Sequence, residues 1–166
     1  AAASRPAMAP SFEDQRTSFN LGDNIMSEDL QPHAKLTVLA ARKIIRGATA
    51  KAEEIGVPEC IAVVDDGGHL LAFMRMDGAF ALSTDTAIAK AVTAAIYRAP
   101  TGEMPDGPDI RLAVATQGKR INLPGGLPII VDGKCVGGVG IGSGTGEEDR
   151  ICANAGLAML DGAQTF

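Results

Sequence analysis

The stretch Cys60-Ile-Ala-Val-Val-Asp-Asp-Gly-Gly-His-Leu-Leu-Ala-Phe-Met-Arg75 decides how the chain is read. It opens on an unbroken apolar run, short and rich in β-branched residues, which suits a strand buried on both faces. Asp66-Gly67 then stands between two β-prone runs, and such a pair supplies the backbone angles a tight hairpin needs. Residues 69–75 read as the returning strand. Asp65 and Asp66 are adjacent, so at a strand end they point in opposite directions and read as turn residues, not as a catalytic pair.

The same pattern recurs downstream. A Leu123-Pro-Gly-Gly126 loop leads into an apolar run over 128–131, and Asp132-Gly133 turns it back into 134–141. Around the two hairpins the apolar spacing is helical. Leu36, Leu39, Ala40, Ile44, Gly47, Ala48 and Ile55 mark a helix over 36–55, stopped by Gly56 and Pro58. Ala87, Ile88, Ala91, Ala95 and Ile96 mark a second over 83–98, with Ser83 and Thr84 as N-cap candidates and Pro100 beyond its end. Pro108 can open a short third helix. A last helix is predicted over 146–160: Thr145 and Glu148 have capping-box spacing, and Glu147, Glu148 and Asp149 suit the positive helix end. Two hairpins among four helices predict an α/β fold of the α+β kind, with an antiparallel sheet rather than a βαβ repeat.

Composition narrows the function classes. The chain has 166 residues, enough for one domain, and is 46% apolar with 20 glycines, no Trp and one Tyr. Its core must therefore rest on Ala, Val, Ile, Leu and Met. A net charge of −5 disfavours nucleic-acid binding, and no apolar run is long enough for a membrane span. Three scattered cysteines without a C-x-x-C pair fit neither a disulfide framework nor a zinc site, and read as small hydrophobes in a reducing compartment. Residues 1–7 read as a cloning remnant ahead of Met8, with a mature end left by signal-peptide cleavage as the rival. A cytoplasmic location is thus preferred, with secretion left open. Residues 8–33 are polar and aperiodic, an extended arm whose Phe12, Phe19, Leu21 and Ile25 can dock on a neighbouring subunit. The domain proper is 34–166.

Chemistry can sit at several places. Arg75 and Asp77 close a strand, where Arg75 can clamp a ligand carboxylate or simply pair with Asp77 to shape the loop. Lys90, inside an Ala-rich helix, can pair with Asp85, with a loop carboxylate or with a bound acid, or snorkel to water. The run Gly137-Gly-Val-Gly-Ile-Gly-Ser-Gly-Thr-Gly146 can offer N–H groups to an anion, yet it matches neither a dinucleotide fingerprint nor a P-loop. A glycine-rich strand packed against a helix is the plainer alternative. Gly125, Gly126 and Ser143 are candidate ligand-binding groups, and Asp149 or Asp77 a candidate base. His33 and His69 stand alone, so no metal site is expected, although His33 near a helix start is a candidate haem ligand. Thr101, just past Pro100, is on local chemistry a turn residue. Together these residues predict that the Arg75–Asp77 corner, Lys90, Thr101 and the glycine bends meet in one hollow.

Five segments, in order, resemble one family. They are residues 63–79 (through Asp65-Asp-Gly-Gly-His and Arg75-Met-Asp-Gly), Ala89-Lys-Ala-Val-Thr-Ala94, Arg98-Ala-Pro-Thr101, Leu123-Pro-Gly-Gly-Leu-Pro128 and Val136-Gly-Gly-Val-Gly-Ile-Gly-Ser-Gly144. The resemblance is to the GlcG/HbpS-like haem-binding family, which includes the C-terminal domain of PduO-type proteins, and it covers about 34–161. It implies a profilin-like domain with a mostly antiparallel sheet of about five strands flanked by helices, assembled as a homo-oligomer (dimer, tetramer or octamer). It also implies haem as a cofactor, mapping a haem-coordinating threonine onto Thr101 and a haem-binding histidine near His33. Three functions follow. The first is a haem or tetrapyrrole-binding protein, the second a cofactor-independent enzyme acting on a small oxygenated carboxylic acid in a catabolic pathway, and the third a non-catalytic accessory protein.

Overall fold

The computed structural model describes residues 32–103 and 109–166. The chain divides into Ala1–His33, of which only the last two residues are described, and Ala34–Phe166. The expected arm and terminal remnant therefore lie almost wholly outside the described residues.

Within Ala34–Phe166 the elements are α1 (Val38–Ile55), β1 (Cys60–Asp65), β2 (Leu70–Arg75), α2 (Ser83–Tyr97), α3 (Asp109–Ala115), β3 (Gly126–Val131), β4 (Lys134–Gly142) and α4 (Gly146–Leu157). Both predicted hairpins form, and the sheet runs β2-β1-β4-β3, antiparallel throughout. Among the described residues it has four strands rather than about five. The nearest approach to a fifth is one antiparallel bridge, Val131 to Ala163, beside edge strand β3. Asp65 holds the first turn. Its Oδ1 accepts the N–H groups of His69 (2.8 Å) and Gly67 (2.9 Å), and these bonds, that from His69 first, keep its carboxyl below the usual range.

The sheet is covered on both faces. Ile61, Val63, Leu127, Ile129, Val139 and Ile141 pack with α1 and α4 in one core, while Cys60, Ala62 and Val64 pack with Ala87, Ala91 and Ala95 of α2 in another. Strand alternation explains the glycine run. Val139 and Ile141 point towards α1 and α4, so Gly138 and Gly140 face α2. A Cβ on Gly138 would stand 2.2 Å from the Ala91 carbonyl oxygen, and one on Gly140 would stand 2.1 Å from that of Ala87. The helix lies directly on the strand backbone, which only glycine permits there. Packing, not anion binding, accounts for this part of the run.

The helix ends follow local chemistry with one exception. Thr37 caps α1 and Gly56 closes it at φ 72°, while Thr145 and Glu148 form the expected capping box of α4. For α2, neither Ser83 nor Thr84 is the N-cap. Leu82 precedes the helix with no side-chain cap, because a turn already feeds it: Ser83 N–H reaches the Phe80 carbonyl at 3.0 Å and Thr84 N–H that of Ala81 at 3.2 Å. The first N–H groups are thus satisfied by backbone.

Candidate functional site

Lys90 ties α2, which packs on one face of the sheet, to α4, which packs on the other. Its ammonium donates to the Ile141 carbonyl at 2.7 Å and to Asp149 Oδ2, in the first turn of α4, at 2.5 Å. Gly125, at φ 104°, makes the room, since a Cβ there would meet that of Asp149 at 2.5 Å. Of the partners open to Lys90 in the sequence, the structure selects Asp149; Asp85 is exposed.

Glu59, just ahead of β1, completes the group, and no sequence motif marks it. Its Oε2 accepts the Gly144 N–H at 3.1 Å. Lys90, Asp149 and Glu59 are 5, 2 and 0% exposed. Glu59 Oε1 and Asp149 Oδ1 are both buried with no donor. Burial first, then the charge of Asp149, pushes Glu59 up to about 8. Burial raises Asp149 too, with Lys90 pulling the other way. Near neutral pH Glu59 therefore keeps its proton, the one hydrogen available to these two facing carboxyls. Nearby Cys152 is pushed up to about 12 by burial and by these acids, so its thiol is inert at neutral pH.

Thr101 is fully buried and its hydroxyl is committed. Oγ1 donates to the Leu123 carbonyl at 2.5 Å and accepts the Gly126 N–H at 2.8 Å, while the Thr101 N–H reaches the Gly126 carbonyl at 2.9 Å. These bonds clasp the 101 and 123–126 loops together, and they also engage the Gly126 N–H expected to face a ligand. Metal coordination by Thr101 would require breaking the clasp. Ser143 acts similarly: half-buried at φ 120°, it accepts the Phe80 N–H at 2.9 Å and pins the bend after β4 to the loop ahead of α2.

The structure gathers some of the predicted residues and leaves others exposed at the sheet edge. Arg75 and Asp77 are exposed at edge strand β2, whereas Lys90, Asp149, Gly125 and Thr101 gather around the β3–β4 side. Arg75 lies opposite Cys60, and Cys60 opposite Gly142, so β1 stands between Arg75 and β4. His33 is exposed and belongs to the other unit. Among the described residues no group of three or more His, Cys, Asp or Glu is placed to hold a metal, and no helix is long and apolar enough to cross a membrane.

A second site was not foreseen. Between α2 and the 115–120 turn runs a groove of about 400 Å³ lined by Val92, Ile96, Tyr97, Ala115, Lys119 and Arg120. Ile96 and Tyr97 are 53 and 46% exposed, whereas Arg120 is 7% exposed. Arg120 Nε donates to the Tyr97 hydroxyl at 3.1 Å, its guanidinium carbon stands 5.1 Å from the ring centre, and Nη1 pairs with Asp109. Asp109 also accepts from Asn122 Nδ2 at 3.0 Å, and Asn122 Oδ1 accepts the Gly102 N–H at 2.8 Å. The Arg120 hydrogen bond, above all, holds Asp109 below the usual carboxylate range, and the same bond raises Arg120. Hydrogen bonds thus run from the Thr101 clasp to the phenol oxygen of Tyr97. The sequence did hold a signal: Ala95 and Ile96 are adjacent, so a helix that buries the alanine must turn the isoleucine outward.

Comparison with known proteins agrees with this architecture. Residues 36–158 match the family described as haem degrading protein HbpS-like. An uncharacterized 15.0 kDa protein from the dhaT-dhaS intergenic region of Citrobacter freundii is 40% identical over 132 residues, 76% of this chain and 93% of that protein. Klebsiella pneumoniae protein ORFY superposes with a TM-score of 0.75 at 32% identity, covering 82% of this chain and 97% of ORFY. A solved PduOC:haem complex superposes at 0.72 with 28% identity, covering 80% of this chain and 99% of that one.

Proposed function

The chain belongs to the HbpS-like family, and from that premise we propose that it binds haem or a related tetrapyrrole in the groove between α2 and the 115–120 turn. The groove carries this reading. Its volume of about 400 Å³ falls within the roughly 300–1,000 Å³ of small-molecule clefts. Val92, Ile96 and Ala115 offer an apolar wall for the macrocycle, Arg120 and Lys119 offer cations for its carboxylates, and Tyr97 offers an oxygen donor of a type that haem iron accepts. The residues present therefore fit the group. When bound, iron would supply the coordination and redox chemistry; the chain supplies walls, charge and a partial barrier to water. Support from outside the chain comes from the similar PduOC structure, which holds haem.

Enzymatic use of Lys90 and Asp149 on a small acid is not carried forward. Both are sealed, and their polar atoms are occupied by each other, by Ile141 and by Glu59.

Hemin titration of the full chain tests the proposal. A saturable Soret shift is expected, with native mass spectrometry reading the stoichiometry and the number of copies per assembly. The exposed Phe80, Leu82, Ile110 and Val114 argue for more than one copy. A Soret band that remains that of free hemin at all ratios overturns the binding reading.

A further inference from the structure

The only tyrosine of the chain stands at the mouth of the groove with a buried guanidinium on its oxygen. Three observations converge on it. Tyr97 is the last residue of α2, so its Cα is held by a helix packed through Ala87, Ala91 and Ala95 onto the sheet, while its ring reaches the groove wall. Its hydroxyl accepts from Arg120 Nε, which uses one lone pair of the oxygen and leaves the O–H and the other lone pair for a ligand. Arg120 itself is aimed, with Nη1 on Asp109 and Asp109 held by Asn122, so the donor cannot swing away without breaking an ion pair.

A phenol binds ferric iron as phenolate. The Fe–O bond forms as the O–H bond breaks, the proton passes to solvent, and no electron moves. The negative charge left on oxygen needs a fixed cation nearby, and Arg120 is in place to provide it.

From this geometry we infer that Tyr97 is the protein ligand to ferric iron in the groove, with Arg120 as the residue that positions and charge-balances it. The inference rests on the tetrapyrrole reading and assigns its iron-binding atom. It gives Thr101 a different part from the coordinating one mapped onto it. Thr101 is a positioning residue, whose clasp sets the loop that Asn122 reaches at Gly102.

The experiment uses the full chain, ferric hemin and metal-free protoporphyrin IX. Wild type is expected to bind hemin with a phenolate-to-iron charge-transfer band and a high-spin ferric signature in electron paramagnetic resonance. Tyr97→Phe should lose that band and bind hemin on the order of tenfold to a hundredfold more weakly. Its affinity for protoporphyrin IX should stay that of wild type, because the ring remains and only the oxygen is gone. Tyr97→His should restore tight hemin binding with a nitrogen-ligand spectrum. A Tyr97→Phe protein that keeps the wild-type spectrum and hemin affinity overturns the ligand assignment and leaves the tetrapyrrole reading standing. Equal losses for hemin and protoporphyrin IX overturn it as well, since the role would then be wall packing. Wild type that binds neither compound brings down the tetrapyrrole reading itself.

Discussion

On each side of α2 a cation is held by an acid, and the two sites differ in what surrounds them. On the inner face, Lys90 is 5% exposed, its acid Asp149 is 2% exposed, and a second carboxyl, Glu59, is fully buried beside them. On the outer face, Arg120 is nearly as buried, but the phenol it serves opens onto a groove. In the first site the charged groups are enclosed inside the protein, away from water and ligand. In the second, the hydrogen bonds end on the phenol oxygen of a half-exposed tyrosine that lines the groove. Buried charge alone is therefore a poor guide to function. A sealed pair ties elements together, whereas a pair that ends at a surface can act on something else.

The largest effect should come from opening the sealed side. Lys90→Met removes the cation and leaves two buried carboxyls without it, and breaking such a buried pair costs about 3–5 kcal/mol. Urea unfolding should show that loss as a lower midpoint with an unchanged slope. Wild-type stability in this variant would mean that the inner cluster is not the anchor described above.

The proton on Glu59 gives a second, pH-dependent handle. Its folded value of about 8 lies above the ordinary 4.5, so between these limits the folded state holds a proton that the unfolded chain has released. Stability is then fully present below the unfolded value and falls as pH rises through 8, by up to about 1.4 kcal/mol for each pH unit crossed. The groups facing Glu59 are Asp149 and Cys152 from α4 and Lys90 from α2. Glu59→Gln keeps an acceptor for Gly144 and a donor for Asp149, so it mimics the protonated acid. Thermal melts from about pH 6 upward should fall for wild type and flatten for Glu59→Gln. Parallel curves would show that the proton resides elsewhere.

A third effect, of about 1–3 kcal/mol, should follow from Gly140→Ala, because the added methyl meets the Ala87 carbonyl oxygen at 2.1 Å and α2 must lift. Chemical denaturation measures it. A neutral result would mean that the helix–strand contact is looser than the structure shows.

Much of this architecture could be read from local pattern. The Asp-Gly turns of both hairpins, the alternation of glycine with Val139 and Ile141, and the Thr145–Glu148 capping box each act over a few residues, and each appears as expected. The site was less legible because its links are long. Lys90 and Asp149 are 59 positions apart, Glu59 and Gly144 are 85 apart, and no spacing rule joins them. Arg75 and Asp77 drew notice because an Arg near an Asp at a strand end looks like a clamp, but strand order decides which end they share, and β2 proved to be an edge. Glu59 carries no local signal, since an acid beside an apolar run reads as the strand's solvent end. Tyr97 carries none either, because the alanine face that α2 buries dominates the pattern of that helix.

The smallest change in stability should come from the outer face, and there binding is the sensitive measure. Ile96 is 53% exposed, so Ile96→Asp buries no new charge in the free protein and should shift unfolding by no more than about 0.5 kcal/mol. The same substitution places a carboxylate on the wall that a macrocycle would cover. Burying it unpaired costs enough to weaken hemin roughly tenfold or more. Separation of the two readouts is the point: at Lys90 stability should collapse, while at Ile96 the fold should hold and the ligand should leave. If Ile96→Asp binds hemin as wild type does, the tetrapyrrole lies elsewhere on the molecule, and the contrast between the two faces of α2 becomes one of burial alone.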